Sequence, residues 1–258
     1  MSKVKIIVAT HKKYQMPKSD LYLPLHVGKK NQNYIGYTGD DTGRNISAKN
    51  PYFCELTGLY WAWKNIDFEY IGLVHYRRHF RGKAISNNIF DKVLSYKEVN
   101  TLLKNADVIL PKKRKYYIET LYSHYKHTMY IEPLDITGDI IKELYPDYNL
   151  EFKRLKTRTK AHMFNMFIMK KEILDEYCNW LFGILFELER RIDSSIYDDF
   201  HSRFYGRISE LLLDVWLNVN KIRFEEVPLL NIEKTNWFKK GFSFLRAKFF
   251  GKKYEKSF

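Results

Sequence analysis

Short runs of β-branched and apolar residues alternate along this chain with longer segments of helical periodicity, and few folds accept that order. Residues 4–10, 70–74, 106–110 and 162–169 read as buried strands, with a last one at 223–227. All but the last are apolar, and the first three run straight into polar clusters. Between them, helical spacing predicts helices over 51–65, 97–105, 171–191 and 206–220, and helical pieces over 116–150 broken at Pro133 and Pro146. Asn50-Pro51 reads as a cap followed by proline at the first helical position. Strands alternating with helices predict an α/β fold: a Rossmann-type mixed, mainly parallel sheet flanked by helices. In such sheets ligands sit beyond the strand ends. Here those ends carry Thr10-His11-Lys12, His75-Tyr76-Arg77-Arg78 and Pro111-Lys112-Lys113-Arg114-Lys115.

Residues 14–50 have little periodicity and include the turn-like run Gly39-Asp40-Asp41-Thr42-Gly43. A long irregular stretch inside a compact unit reads as a site loop rather than a linker. We therefore expect one catalytic domain over residues 1–235, with a separate tail over 236–258. The tail interleaves Trp, Phe and Leu with Lys and Arg, the composition of a segment lying on anionic lipid.

Charge narrows the partners. The formal net charge is +14 and aromatics make up 17% of the chain. A basic, aromatic protein suits a nucleotide diphosphate, an anionic membrane or a nucleic acid. Base stacking on Tyr and Phe beside Lys and Arg would fit single strands, but no nucleic-acid motif is present. A non-catalytic scaffold on the membrane is a further alternative. The apolar N-terminal run is too short for a signal peptide or a span, and no stretch reaches 18 apolar residues. The expected location is cytoplasmic, peripheral at the inner face of the membrane. Cys54 and Cys178 lack metal-site spacing and read as buried, reduced thiols.

No P-loop, GxGxxG, HExxH or GxSxG occurs, nor an Asp-x-Asp at a strand end. Asp40 and Asp41 are adjacent, so in extended chain they point opposite ways, and no metal cofactor is expected of them. His75, Arg77 and Arg78 can meet phosphate oxygens, Arg bidentately. His162 and Asn165 lie in an apolar run, so each needs a structural or a ligand partner. Glu210 and Asp214 are four apart and share a helix face, and Glu210 at the helix start is a candidate general base.

The segments KNPYFCELTGLYWAWK at 49–64, YIGLVHYRRH at 70–79, HMFNMFIM at 162–169 and SELLLDVW at 209–216 together resemble a family long labelled only as a domain of unknown function. It occurs in bacterial capsule and O-antigen loci. The resemblance spans nearly all of residues 3–235. It implies a GT-A-like glycosyltransferase, akin to galactofuranosyltransferases that lack the Asp-x-Asp motif. By position, His75, Arg77 and Arg78 then stand where metal-binding acids would be. His162 and Asn165 lie on a strand lining the donor sugar, and Glu210 opens the helix that supplies the base.

The resulting expectation is an inverting transfer of a hexose, galactofuranose foremost, from a UDP-sugar to a lipid-linked glycan. Thr10 and His11 would flank the nucleotide. Asp40, Asp41 and Asp214 would touch sugar or acceptor hydroxyls. Residues 237–258 would touch the membrane, and no nucleic acid would be bound.

Overall fold

The computed structural model describes residues 3–233; the tail expected at 236–258 lies outside the described residues. In chain order the elements are β1 Val4–Thr10, β2 Tyr22–His26, β3 Thr38–Gly39, α1 Asn50–Phe53, α2 Leu56–Asn65, β4 Tyr70–His75, β5 Arg78–Phe80, α3 Tyr96–Leu102, β6 Val108–Pro111 and β7 Arg114–Lys115. There follow α4 Leu121–Thr128, α5 Glu132–Leu144, α6 Pro146–Lys153, β8 Lys160–Ala161, β9 Phe167–Lys170, α7 Lys171–Arg191, α8 Phe204–Val219, β10 Phe224–Val227 and β11 Leu229–Asn231.

The sheet runs β10-β6-β9-β4-β1-β2-β3. β1 is parallel to β2 and β4, and β6 to β10, while β9 runs antiparallel between β4 and β6. β5 turns straight back from β4 and pairs with β11, and β7 and β8 form a separate ribbon. The expected α/β architecture, a mostly parallel sheet between helices, is the one observed.

Both sheet faces are covered, which is why the strands read as continuous apolar runs. In β1, Ile7 and Ala9 face the cluster formed with α2, α5, α7 and α8, whereas Ile6 and Val8 face Val74, Phe80 and Val99. Burying each such aliphatic side chain contributes about 1.5–3 kcal/mol. α7 spans the range its periodicity predicts: Leu174, Cys178, Leu181, Leu185 and Leu188 form its buried stripe, and Arg190 and Arg191 suit the negative end of its dipole.

Several boundaries differ from the sequence reading. β2 and β3 emerge within the stretch read as irregular. The helix expected over 51–65 is two helices, because Cys54 takes φ +52° between them, and Lys49 rather than Asn50 is its cap. Cys54 is only half-buried, while Cys178 is buried as expected. The stretch over 116–150 is in helical pieces divided at Pro133 and Pro146 as expected, each proline sitting in the first turn of the next helix, where its missing N–H costs nothing. α8 begins at Phe204, so Glu210 lies in its second turn rather than at its start. The strand expected over 162–169 exists only from Phe167; residues 162–166 are a loop with Phe164 at φ +77° and Asn165 at φ +51°.

Candidate active site

The parallel register brings the strand ends together. Ala9 pairs with His75 and Thr10 with His26, so β1, β2 and β4 end side by side. His11 then stands edge-on to Tyr76, with ring centroids 5.4 Å apart. Desolvation, with Lys12, Arg203 and Arg77 nearby, holds the His11 imidazole below its ordinary pKa. A site crowded with cations in this way disfavours further positive charge and favours an anion.

The 162–166 loop organises the centre. Its two consecutive left-handed residues carry side chains, a conformation costing of order 1 kcal/mol or more for each. The turn aims Phe164 in three directions. Its carbonyl accepts a 2.6 Å hydrogen bond from His75 Nε2. Its backbone N–H faces the Glu210 carboxylate. Its ring lies under the Arg78 guanidinium, 4.5 Å from centroid to Cζ. Asn165 adds side-chain bonds: Nδ2 donates to Glu55 Oε1 at 2.6 Å and to the Gly206 carbonyl at 3.1 Å, while Oδ1 accepts from Ser209 Oγ at 2.9 Å.

Two carboxylates and two guanidiniums meet around this loop. Glu210 is buried, and burial pushes its pKa up; Arg207 opposes the rise and Glu55 adds to it. Arg207 Nη1 lies 3.9 Å from Glu210 Oε1, and Glu55 Oε1 lies 4.0 Å from His75 Nε2. Burial and the neighbouring Arg77 lower the Arg78 pKa, and Glu210 and Glu55 only partly offset this. Among the described residues Arg78 forms no ion pair. Arg77 lies 3.6 Å from Glu233. Chemically, the group offers a basic carboxylate in a desolvated niche and guanidiniums able to take an anion's oxygens.

The predicted residues divide. His11, His75, Arg77, Arg78, Asn165 and Glu210 are brought to one region at the β1 and β4 ends. Thr10 is buried there, but its hydroxyl closes a local turn with Lys12. Asp40 is buried with its oxygens taken by the Gly28 and Lys29 N–H groups and Ser47 Oγ, so it fastens the loop after β2. Asp41 is exposed. His162 is fully buried between two carboxylates, with Nδ1 2.6 Å from Asp214 Oδ1 and Nε2 2.9 Å from Glu226 Oε1. Asp214 also accepts from the His162 N–H and faces Lys113 at 3.5 Å. This clamp ties the 162–166 loop to α8 and β10, and both His162 and Asp214 are buried within it.

Four residues of the site were not singled out in the sequence: Glu55, Phe164, Arg203 and Arg207. Glu55 reads as one polar position of a helix, and only the break at Cys54 turns it to the cap of α2. Arg203 Nε donates to Cys54 Sγ at 3.1 Å. Phe164 gives no signal beyond hydrophobicity, since two of its three contacts are made by its backbone. Arg207, three residues before Glu210, was legible as an i,i+3 partner. Among the described residues no group of three or more His, Cys, Asp or Glu is placed to hold a metal ion.

The family model described as "Domain of unknown function (DUF4422)" matches residues 5–221. Among solved structures, the chain is similar to the apo structure of the WbbM bifunctional glycosyltransferase, with a TM-score of 0.82 and 31% identity. The match covers 90% of this chain and 46% of that one, so this chain spans under half of the length of its structural relative. No curated protein sequence matches.

Proposed function

The chain belongs to the DUF4422 family, and from that premise we propose that it is a glycosyltransferase that moves a hexose from a UDP-sugar to a lipid-linked glycan in capsule or O-antigen synthesis. Galactofuranose is our choice of sugar, carried from the sequence resemblance. One observation carries the reading. In a fold similar to a glycosyltransferase, a buried carboxylate faces guanidiniums at the edge where β1 and β4 end.

In this reading the reaction is a single inverting displacement. Glu210 takes the acceptor hydroxyl proton as the oxygen bonds to the anomeric carbon, and the bond from that carbon to the donor phosphate breaks. The electron pair leaves on the diphosphate, where Arg77 and Arg78 meet the growing charge. Those guanidiniums supply what a divalent ion would, so transfer proceeds without metal. His11 and His75 line the donor side, and Asn165 holds Glu55 and the loop in place. The protein works at the cytoplasmic face of the membrane. Among the described residues no helix is long and apolar enough to cross it, and the basic tail over 236–258 adds a peripheral contact.

Calorimetric titration with UDP, before and after EDTA, tests the reading. Binding that survives EDTA and weakens in Arg78→Ala supports it and justifies testing UDP-sugars in turn. Binding only with added Mn²⁺ or Mg²⁺ removes the arginine-borne diphosphate site, and no UDP binding removes the donor.

A further inference from the structure

We propose that the surface made by the β7–β8 ribbon and the approach to α4 docks on an anionic lipid bilayer. Over 112–131 the chain carries five Lys and Arg and one acid, Glu119. That acid is buried, with its oxygens 3.2 Å from His124 Nδ1 and 2.5 Å from His127 Nδ1. Over 153–160 there are five more Lys and Arg, of which Arg154 and Arg158 share the one carboxylate of Glu151 and Lys153, Lys156 and Lys160 add further charge. The ribbon joins the two stretches: Lys115 pairs with Lys160, and both are exposed. Out of this positive field stand Tyr117, 87% exposed, and Ile118, 62% exposed.

The protrusion is built rather than loose. The Tyr116 N–H donates to Thr159 O and the Leu121 N–H to Arg158 O, each at 2.7 Å. Those bonds pin the backbone on both sides of Tyr117 and Ile118 and turn the pair outward. An apolar tip ringed by lysines matches a bilayer, where Tyr and Ile enter the interface and the lysine heads stay with anionic headgroups. Nucleic acid fits less well, because Ile118 offers no face for base stacking and Tyr117 leaves the tip a single exposed ring rather than a run of them.

The surface also lies on the rim of the site. Arg114 sits over the Tyr116 ring at 4.8 Å, Tyr116 lies 4.4 Å from the His124 ring, and His124 is within electrostatic reach of Arg207, the partner of Glu210. Docking therefore turns the Glu210 side toward the bilayer. That it presents the site to a lipid-borne acceptor rests on the proposed function; the docking itself does not.

The test is flotation of the full chain with phosphatidylcholine vesicles, with and without about 30 mol% phosphatidylglycerol. The wild type should float only with the anionic vesicles, and less at high salt. The variants Y117S/I118S and K115E/K160E, at unchanged melting temperature, should each bind about tenfold less. Hydrogen exchange on the wild type covers the case of a variant that fails to fold: vesicles should protect residues 115–122. Wild-type flotation by the variants, protection confined to 236–258, or indifference of the wild type to phosphatidylglycerol would each overturn the proposal. So would tight binding of a single-stranded oligonucleotide at physiological salt that both variants lose in parallel with vesicle binding, since the surface would then be a nucleic-acid site. UDP titration is independent of all these outcomes, so failure of the donor reading is seen separately.

Discussion

Asn165 and Glu55 are 110 positions apart, yet Asn165 Nδ2 donates to Glu55 Oε1 at 2.6 Å. The contact joins the loop before β9 to the cap of α2, at the place where the chain breaks helical geometry at Cys54. One end sits on left-handed backbone, with φ +51° at Asn165, and the other directly follows the break, Glu55 being helical just after Cys54 at φ +52°. Asn tolerates the left-handed region better than most side chains, and its amide can also reach Gly206 and Ser209.

Replacing Asn165 by Ala should cost about 2–4 kcal/mol, from lost buried hydrogen bonds and a poorer fit to positive φ. Asn165→Gly loses the same side-chain bonds but keeps the backbone conformation, so it should cost less. Urea unfolding of both variants checks this; equal losses would mean that the left-handed turn is not part of the cost.

The His162–Asp214 clamp should show in acid. Burial works to raise the Asp214 pKa, but the hydrogen bond and charge of His162 outweigh it, and Lys113 adds to them, so the net value lies below 3.8. A carboxylate whose folded pKa is depressed stabilises the fold above its unfolded pKa. That stabilisation is lost as pH falls through the folded value. Asp214→Asn should therefore cost about 3–5 kcal/mol at neutral pH and flatten the loss of stability below about pH 4. Denaturant midpoints across the acid range measure both. An acid limb unchanged in the variant would remove the clamp from the account.

How much of this was legible follows from what each feature depends on. Periodicity is a local property, and it located β1, β4, β6, α7 and β10 to within a residue or two. The placing of His75, Arg77 and Arg78 at a strand end followed from the same signal, and the parallel register then set them beside His11. The 162–166 loop was misread because its composition is that of a strand: Met163, Phe164, Met166 and Phe167 are apolar in sequence and mostly buried in the fold. What turns it into a loop is the set of partners for its polar atoms, Asp214 for His162 and Glu55 with Ser209 for Asn165. All of those are distant in sequence. Asp40 was misread for the converse reason, since a buried acid serving two backbone N–H groups and a serine looks in sequence like an acid free for a ligand.

Gly72 gives a packing prediction. It lies in the middle of β4, where a Cβ would come within 2.9 Å of Ile168 Cγ1 and 3.1 Å of the Phe167 carbonyl. The carbonyl belongs to the paired strand and cannot step aside without moving β9. Gly72→Ala should therefore cost about 1–3 kcal/mol as overpacking. Because β4 ends in His75 and β9 begins just after Asn165, UDP affinity should fall as well. A thermal melt with a UDP titration checks both; unchanged affinity at reduced stability would show that the strain is absorbed away from the site.

Glu210 joins stability and activity with opposite signs. Burial holds its pKa above the ordinary 4.5, so the folded state binds that proton more tightly than the unfolded chain does. Stability from this group is then lost as pH rises from about 4.5 through the raised folded value. Glu210→Gln removes that cost and should raise the melting temperature at neutral pH. The same carboxylate must be ionised to take a proton from the acceptor. Turnover should therefore fall as pH is lowered, with a midpoint above the ordinary carboxylate range, and Glu210→Gln should lose about 10²–10⁴-fold in kcat with UDP affinity nearly intact. A structural role alone predicts a less stable variant that keeps part of its turnover. A base in a desolvated niche predicts a more stable one with almost none, and melting curves and pH-rate profiles on the two proteins tell these apart.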